Sequence, residues 1–158
     1  MIEILELESA DLAVFKRDMR EAFSQGFDEE ILPESDIDKS LASKGAFAYK
    51  AVQNGEILGG AIVVINGVLG ELDFLYVKVD AQNKGVGQKI WEFIERTHDE
   101  VELWHTMTPY EMHRNLHFYI NVLGFKASEF FCPKHPNPYF PASPDDLMFG
   151  FEKRIKRQ

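Results

Sequence analysis

Apolar and polar residues alternate with two different periods along this chain, and the changes of period divide it into strands and helices. A period of two is typical of half-buried strands, and a period of three to four is typical of amphipathic helices. The predicted strands are 2–7, 46–53, 56–65, 68–79, 101–106, 125–131 and 147–155. The predicted helices follow Ser9, Ser35 or Asp36, Gly85 and Pro109.

Two Asn-Gly pairs, at 54–55 and 66–67, separate three consecutive predicted strands. Asn-Gly between apolar runs is a strong signal for a hairpin, so residues 46–79 are predicted to form an antiparallel meander. The strand at 101–106 follows a helical crossover and should therefore run parallel to the strand before that helix. The order β-α-α-β-β-β-α-β-α-β-β predicts a mixed, predominantly antiparallel α/β sheet flanked by helices, in one domain over residues 1–158.

A polar turn with two glycines, Gly85 and Gly87, joins the strand that ends at Val77 to an amphipathic helix. The amides of such a turn converge with the positive end of the helix dipole, which favours an anion such as phosphate. A Cβ at either glycine would hold the oxygens of a ligand away from these amides. A P-loop is excluded because no Ser or Thr follows a Gly-Lys pair here, and a dinucleotide fold is excluded because Ile90 replaces its third glycine.

The pattern Gln82-x-x-Gly85-x-Gly87 after this strand resembles the acetyl-CoA motif of the GNAT superfamily of N-acetyltransferases. The resemblance implies that main-chain groups of Val77 and Val79 bind the thioester oxygen and the pantetheine, where two parallel strands splay apart. Val79 stands where the family often has proline, which would shift the turn slightly. The residues implied to bind the pyrophosphate are Gln82, Asn83, Lys84, Gly85, Val86 and Gly87.

A second segment, from Asn115 to Phe125, resembles the other signature of the family, an Asn and a Tyr one helical turn apart before a Gly-Phe pair. Positions i and i+4 share a helix face, so Asn115 and Tyr119 can point to the same cleft. The resemblance implies that Tyr119 is the general acid that protonates the CoA thiolate and that Asn115 contacts the cofactor or a water. Periodicity alone favours a core aromatic and a polar residue near a helix N-terminus, so both interpretations stay open at this point.

The predicted general base is Glu71 or Asp73, acting directly or through a water. On a regular strand these residues share a face with Leu75 and Val77. Two neighbouring carboxylates beside apolar side chains raise the pKa of one of them towards useful basicity. The resemblance supports a carboxylate in this region, and the alternative is a solvated start of the strand.

Composition and charge restrict the classes of partner and the cellular compartment that we expect for this protein. The net charge of −9 repels nucleic acid and attracts protonated amines, and the acidic stretch 28–38 either contributes to that attraction or faces solvent. No apolar run approaches the ~20 residues that span a bilayer, so we expect no membrane partner. One cysteine, Cys132, and an N-terminus that alternates from the start are expected of a cytoplasmic protein.

Two further signals are weighed and set aside. His113 and His117 have the spacing of a zinc pair, but Arg114 between them would oppose a metal, so no metal is expected. Cys132 lacks any recognisable His or acid motif that would make it an acylated nucleophile.

Taken together, these features predict an enzyme that moves the acetyl group of acetyl-CoA directly to a primary amine of a small molecule or a peptide. The alternative is a CoA-binding regulatory module with the same fold and no catalysis. Members of the family often form homodimers, and no residue in this sequence defines an interface.

Overall fold

Strands and helices follow one another in the order that the hydrophobic pattern predicts, which confirms the mixed α/β class. The computed structural model describes residues 1–25, 32–109, 113–137 and 147–155. Its strands are β1 (Glu3–Glu6), β2 (Ala46–Gln53), β3 (Glu56–Asn66), β4 (Leu69–Val77), β5 (Leu103–Pro109), β6 (Lys126–Phe131) and β7 (Met148–Arg154). Its helices are α1 (Leu12–Phe23), α2 (Glu34–Leu41), α3 (Val86–Thr97) and α4 (His113–His117).

Several element boundaries differ from the prediction. A 3₁₀ turn at Ser9–Asp11 precedes α1, so Ser9 is not the helix cap. Helix α2 begins after extended Pro33, ahead of both predicted caps. Strand β5 starts at Leu103, and α4 continues as a π-helical turn, Phe118–Val122, where a single α-helix was expected. Residues 28–31 of the acidic stretch and residues 138–146 of the Pro-rich loop before β7 lie outside the described residues.

One seven-stranded sheet organises the chain, in the order β1-β2-β3-β4-β5-β7-β6. Every pairing is antiparallel except that of β4 with β5, which confirms both the meander and the predicted parallel pair. Asn54 and Gly55 both have positive φ, as a type I′ hairpin requires. In the second hairpin Asn66 pairs with Leu69, so Gly67 and Val68 form the loop.

Each face of the sheet is covered by its own pair of helices. Helices α1 and α2 pack on one face, called here the α1–α2 face, and α3 and α4 pack on the other, the α3–α4 face. The buried cluster on the α1–α2 face is Phe15, Met19, Leu32, Ile37, Ile62 and Tyr76. The larger cluster on the α3–α4 face includes Leu72, Leu75, Ile90, Trp91, Ile94, Trp104, Tyr119, Phe125 and Phe151.

A β-bulge at Asp73 reverses the alternation of β4. Ile62 of β3 pairs with Phe74 and Val63 pairs with Leu72, so Asp73 has no partner in this register. The prediction that Glu71 and Asp73 share a face with Leu75 and Val77 is therefore wrong. Leu72 joins Leu75 and Val77 in the α3–α4 cluster, and Glu71 lies on the opposite face.

Candidate active site

Strands β4 and β5 form a fork at the centre of the sheet. They pair over only three positions, and the last pair is Glu71 with His105. Beyond it β4 continues along β3 to Val77, while β5 continues along β7 to Pro109. The carbonyl of Leu72, the first after the paired stretch, accepts a hydrogen bond from Thr106 Oγ1 at 2.8 Å. The predicted separation of the parallel strands is thus present, and a threonine hydroxyl lies at its base.

Tyr119 lies beside this fork, on the α3–α4 face of the sheet. Its side chain is 5% exposed and packs against the rings of Phe125 and Phe151, as the core interpretation expects. Phe151 pairs with Thr106, the residue that follows the last β4–β5 pair, so the ring of Tyr119 lies beside the parting strands. Burial raises the pKa of Tyr119 to about 12, so the phenol keeps its proton at neutral pH. The two interpretations of Tyr119 are therefore compatible with each other.

The helix that carries Tyr119 changes its winding at that residue. Leu123 N donates to Phe118 O at 2.9 Å, a bond that spans five residues instead of four. Such π-helical turns occur frequently at functional sites. One turn earlier, Asn115 Nδ2 donates to Thr108 Oγ1 at 3.1 Å. Asn115 thus contacts Thr108 on the buried face of β5, and Tyr119 packs on Phe151, which pairs with Thr106 of the same face, so their predicted common orientation is present.

The glycine turn has the backbone conformation that an anion cradle needs. Gly85 caps α3 in the left-handed region with φ 77°, and Asn83 also has positive φ. Asn83, Lys84 and Gly85 are exposed at the start of α3, where the first-turn amides lack intrahelical partners. A Cβ on Gly85 would meet open space. Phosphate binding here remains a prediction.

Gly87 has a different reason to be glycine from the one predicted. A Cβ at this position would lie 2.7 Å from Cζ of Phe118, so the ring of Phe118 occupies the space that a side chain would need. Gly87 itself is buried. The structure therefore explains this glycine by packing within the protein, and the sequence pattern alone could not show that contact.

Other predicted cofactor-binding residues shape the turn between β4 and α3. Gln82 Nε2 donates to Val77 O at 3.2 Å and thereby folds back on the end of the strand. Val79 begins the 3₁₀ turn Val79–Ala81, and Val86 is buried in the core as the first residue of α3. Contacts of Val77, Val79, Gln82, Lys84 and Val86 with a cofactor stay predictions.

The two predicted bases have different partners. Glu71 Oε2 lies 2.8 Å from His105 Nδ1, and this hydrogen bond raises the pKa of His105. Asp73 Oδ2 accepts a hydrogen bond from Ser40 Oγ of α2 at 2.6 Å. Asp73 is exposed, yet desolvation by the protein around its carboxyl raises its pKa, the bond from Ser40 opposes that rise, and the Glu71 carboxylate adds to it.

Sequence reasoning missed Thr106, Thr108 and Ser40. The two threonines alternate with His105 and Met107 along β5 and follow buried Trp104 on the same face. Two polar side chains in phase with a buried tryptophan were a usable signal for a polar site. Ser40 carried no such signal, because its contact with Asp73 joins residues that are 33 positions apart.

Within the described ranges, no helix has the length and apolar character required to cross a membrane. Within the same ranges, no three His, Cys, Asp or Glu side chains group together as a metal site would require.

Comparison with known proteins identifies the family. Residues 12–125 match the model of the acetyltransferase (GNAT) family. The chain is 34% identical over 175 aligned residues to "Uncharacterized protein YrkN" of Bacillus subtilis (strain 168), covering 98% of this chain and 95% of that protein. The protein therefore belongs to the GNAT family, whose members bind acetyl-CoA, and it is an acyltransferase.

Solved structures with low sequence identity share the fold. The ribosomal-protein-S18-alanine N-acetyltransferase of Escherichia coli is similar with a TM-score of 0.78 at 18% identity, over 100% of this chain and 96% of that one. The PaiA N-acetyltransferase of Thermoplasma acidophilum, in complex with coenzyme A, is similar with a TM-score of 0.73 at 18% identity, over 98% and 99%. At these identities the likeness extends to the architecture only.

Proposed function

We propose that this protein transfers the acetyl group of acetyl-CoA directly to a primary amine, with no acyl-enzyme intermediate. The observation that carries the proposal is the position of Tyr119, buried and protonated, beside the fork between β4 and β5, where its ring packs on Phe151. A thioester held in that fork would have an acid within reach of its sulfur. Family membership supports acetyl-CoA as the donor.

The glycine turn is the proposed site for the cofactor's pyrophosphate. Asn83 and Gly85 have positive φ, and the exposed residues 83–85 therefore lead directly into the first turn of α3. The helix N-terminus adds a favourable partial charge for the phosphates. Asn115 and the main chain of Val77 and Val79 are the proposed contacts of the pantetheine and the thioester.

In the proposed reaction, the nitrogen of the neutral amine forms a bond to the thioester carbon and the carbon–sulfur bond breaks. The amine loses a proton to a base, and Tyr119 gives its proton to the departing thiolate. Asp73 is the favoured base, because its side chain is exposed to an acceptor and desolvation by the surrounding protein raises its pKa, while Glu71 is engaged by His105. The base and the acid then lie on opposite faces of the sheet, with the fork between them.

The acceptor would approach from the α1–α2 face. Glu71 and Asp73 lie on that side of β4. Glu152 of β7 pairs with His105 of β5 on the same side of the sheet. These carboxylates favour a cationic amine over an anionic acceptor. The acceptor is proposed to be a small-molecule amine or a peptide amine.

The test is release of free thiol from acetyl-CoA in the presence of a panel of acceptors. The panel contains polyamines, amino sugars, amino acid derivatives, a lysine peptide and a peptide with N-terminal alanine, the last prompted by the name of the E. coli neighbour. We expect at least one amine to give turnover that Tyr119→Phe loses. Calorimetric binding of coenzyme A without thiol release from any acceptor would contradict the proposal.

A further inference from the structure

We propose that Gln82 is a positioning residue for the thioester: its side chain fixes the last peptide unit of β4, so that the main chain of Val77 keeps one direction at the fork. This inference rests on the proposed function, because it takes Val77 as a contact of the cofactor. The sequence pattern implies a phosphate contact for Gln82, whereas the structure gives its side-chain amide a main-chain partner on β4. The two tasks predict different responses to a donor that has no phosphate.

The outer half of β4 is paired on one side and borders the fork on the other. Strand β3 stays paired with β4 as far as Val77, while the described pairing of β4 with β5 ends at Glu71. Main-chain groups of β4 that face the fork beyond Glu71 therefore lie outside the ladder with β5. A strand edge without ladder hydrogen bonds is held less firmly than the middle of a sheet.

The direction of the Val77 main chain follows from its neighbour Lys78. Lys78 N donates to Leu58 O of β3 at 2.8 Å. In a trans peptide such as this one the N–H and the C=O point in opposite directions, so Val77 O points away from β3 and into the fork. The N–H of Val77 lies on the same side as its own carbonyl, as is usual in a β-strand. Both polar groups of Val77 are thus directed at the space where the thioester is proposed to bind.

Gln82 holds the same peptide unit from its other end. Its Nε2 donates to Val77 O at 3.2 Å, across the 3₁₀ turn Val79–Ala81. The peptide between Val77 and Lys78 is therefore hydrogen-bonded at its N–H by β3 and at its C=O by Gln82. A carbonyl oxygen can accept two hydrogen bonds, so an amide of the cofactor can still bind there. Gln82 thus replaces the ladder hydrogen bond that a paired β5 would have supplied at this position.

A fixed strand end at this place contributes to the chemical step. A donor that already points to where charge develops on the thioester oxygen stabilises the transition state without rearranging during the reaction. The proposed donor is the N–H of Val77, which adjoins the peptide that Gln82 holds. Loss of the Gln82 hydrogen bond should therefore let the end of β4 shift and misdirect this donor. The expected loss does not depend on the phosphates of the cofactor.

The test compares acetyl-CoA with acetyl-pantetheine, a thioester donor that has no phosphate. Gln82→Met keeps the length of the side chain but has no N–H, whereas Gln82→Arg keeps one. We expect Gln82→Met to lower kcat/KM by about threefold to tenfold with both donors, as for loss of one neutral hydrogen bond. With acetyl-CoA the loss should fall on kcat rather than on KM.

Two further variants of glutamine complete the kinetic comparison. With acetyl-pantetheine, where the added charge of arginine meets no phosphate, Gln82→Arg should retain most of kcat/KM. Gln88→Met makes the same exchange as Gln82→Met at an exposed position of α3. It should leave kcat/KM unchanged with both donors.

Hydrogen exchange makes the test independent of turnover. The amide of Lys78 donates to Leu58 O, so its exchange rate reports whether the end of β4 stays paired. We expect faster exchange of this amide in Gln82→Met and the wild-type rate in Gln82→Arg. The amide of Ile65, which donates to Gly45 O at the other end of β3, should keep its wild-type rate in both variants. This second amide separates a local effect from a general loss of stability.

The outcomes separate the inference from the function on which it rests. A loss of activity confined to acetyl-CoA would assign Gln82 to the phosphates, and an unchanged exchange rate of Lys78 in Gln82→Met would show that Gln82 does not fix the strand. Either result overturns the inference. Absence of thiol release by the wild-type protein would defeat the proposed function, while the exchange of Lys78 would still decide whether Gln82 holds the end of β4. Equal losses with the two donors, together with faster exchange, support both.

Discussion

The ring of Phe118 lies against Gly87, with its Cζ atom 2.7 Å from where a Cβ of residue 87 would stand. Phe118 belongs to the π-helical turn that carries Tyr119, and Gly87 belongs to the first turn of α3. The same Cβ position is 3.4 Å from Val77 Cγ2 at the end of β4. The segment that holds the proposed acid therefore packs directly on the segment proposed to hold the phosphates.

This contact predicts the effect of adding a methyl group at residue 87. Gly87→Ala forces the Phe118 ring aside, and overpacking of this kind costs about 1–3 kcal/mol of unfolding free energy. We expect a lower Tm and weaker coenzyme A binding by calorimetry. The double variant Gly87→Ala/Phe118→Leu should recover most of both, because the shorter side chain clears the added carbon.

Gly85→Ala is the matched control for that experiment. Its Cβ meets open space, but its φ of 77° strains any side chain, so it should lose stability in a way that Phe118→Leu cannot rescue. Rescue of both alanine variants by Phe118→Leu would contradict the packing explanation.

Tyr119→Phe should lower turnover near neutral pH by about 10² to 10⁴, the usual contribution of general acid catalysis. Binding of acetyl-CoA should change little, since the ring keeps its packing. The measurement is steady-state kinetics beside calorimetric titration with acetyl-CoA.

Tyr76→Phe is a suitable control for the loss of a buried phenol hydroxyl. Among the described residues the hydroxyl of Tyr76 has no hydrogen-bond partner, and its ring packs on the α1–α2 face. Removing an unsatisfied buried hydroxyl should leave stability unchanged or raise it, with turnover retained. Equal losses of turnover in the two variants would remove Tyr119 from the mechanism.

Ser40→Ala should move the acid limb of the pH–kcat/KM profile to higher pH. The Ser40 hydrogen bond lowers the pKa of Asp73, so its loss raises that pKa further. A carboxylate acts as a base only above its pKa. A higher pKa of Asp73 therefore extends the range of low activity from acidic pH towards neutral pH. The measurement is the profile of kcat/KM from pH 4 to 8 for the wild type and the variant.

Ser43→Ala serves as the control, since Ser43 Oγ donates to Lys39 O on the same helix and does not contact Asp73 in the described structure. Asp73→Asn should abolish the limb. A limb that instead disappears in Glu71→Gln would assign the base to Glu71.

Acid should destabilise the protein through His98. This ring is 5% exposed, its Nε2 lies 2.7 Å from the hydroxyl of Tyr49, and burial lowers its pKa although Glu100 opposes the effect. The unfolded chain therefore binds the proton more readily than the folded one. The stability that neutral His98 provides is complete above about pH 6.5, the ordinary histidine value, and is lost as the pH falls towards the folded pKa.

The measurement is Tm as a function of pH between 5 and 8. His98→Gln should flatten this dependence, while His117→Gln, at an exposed position on α4, should leave it unchanged. A dependence that is as steep in His98→Gln as in the wild type would exclude His98 as its source.

Hydrophobic period and turn chemistry predicted most of the fold. The order of the elements, both hairpins and the parallel pair required only local patterns and the rule for helical crossovers. The bulge at Asp73 was missed because a period of two was assumed along all of β4, and no Gly or Pro interrupts residues 71–77. The π-helical turn was missed for a similar reason, since its residues suit an ordinary α-helix.

The sequence offered candidate site residues where one segment carries the signal. Tyr119 and Asn115 could be paired because they lie one helical turn apart, and the glycine turn follows one strand. The partners of the candidate residues come from other elements and meet them only after the sheet has formed, as Ser40 meets Asp73 and Thr108 meets Asn115. A single sequence does not reveal such tertiary contacts.

The extra residue at position 73 makes this the one point of β4 at which a deletion keeps the sheet intact. Removing Asp73 would join Leu72 directly to Phe74, which already pair with the consecutive residues Val63 and Ile62 of β3, so every other side chain would keep its present face. The deletion would remove only the bulge and its carboxylate. We therefore expect a chain shortened by this residue to fold with the same strand pairing and to lack the proposed base.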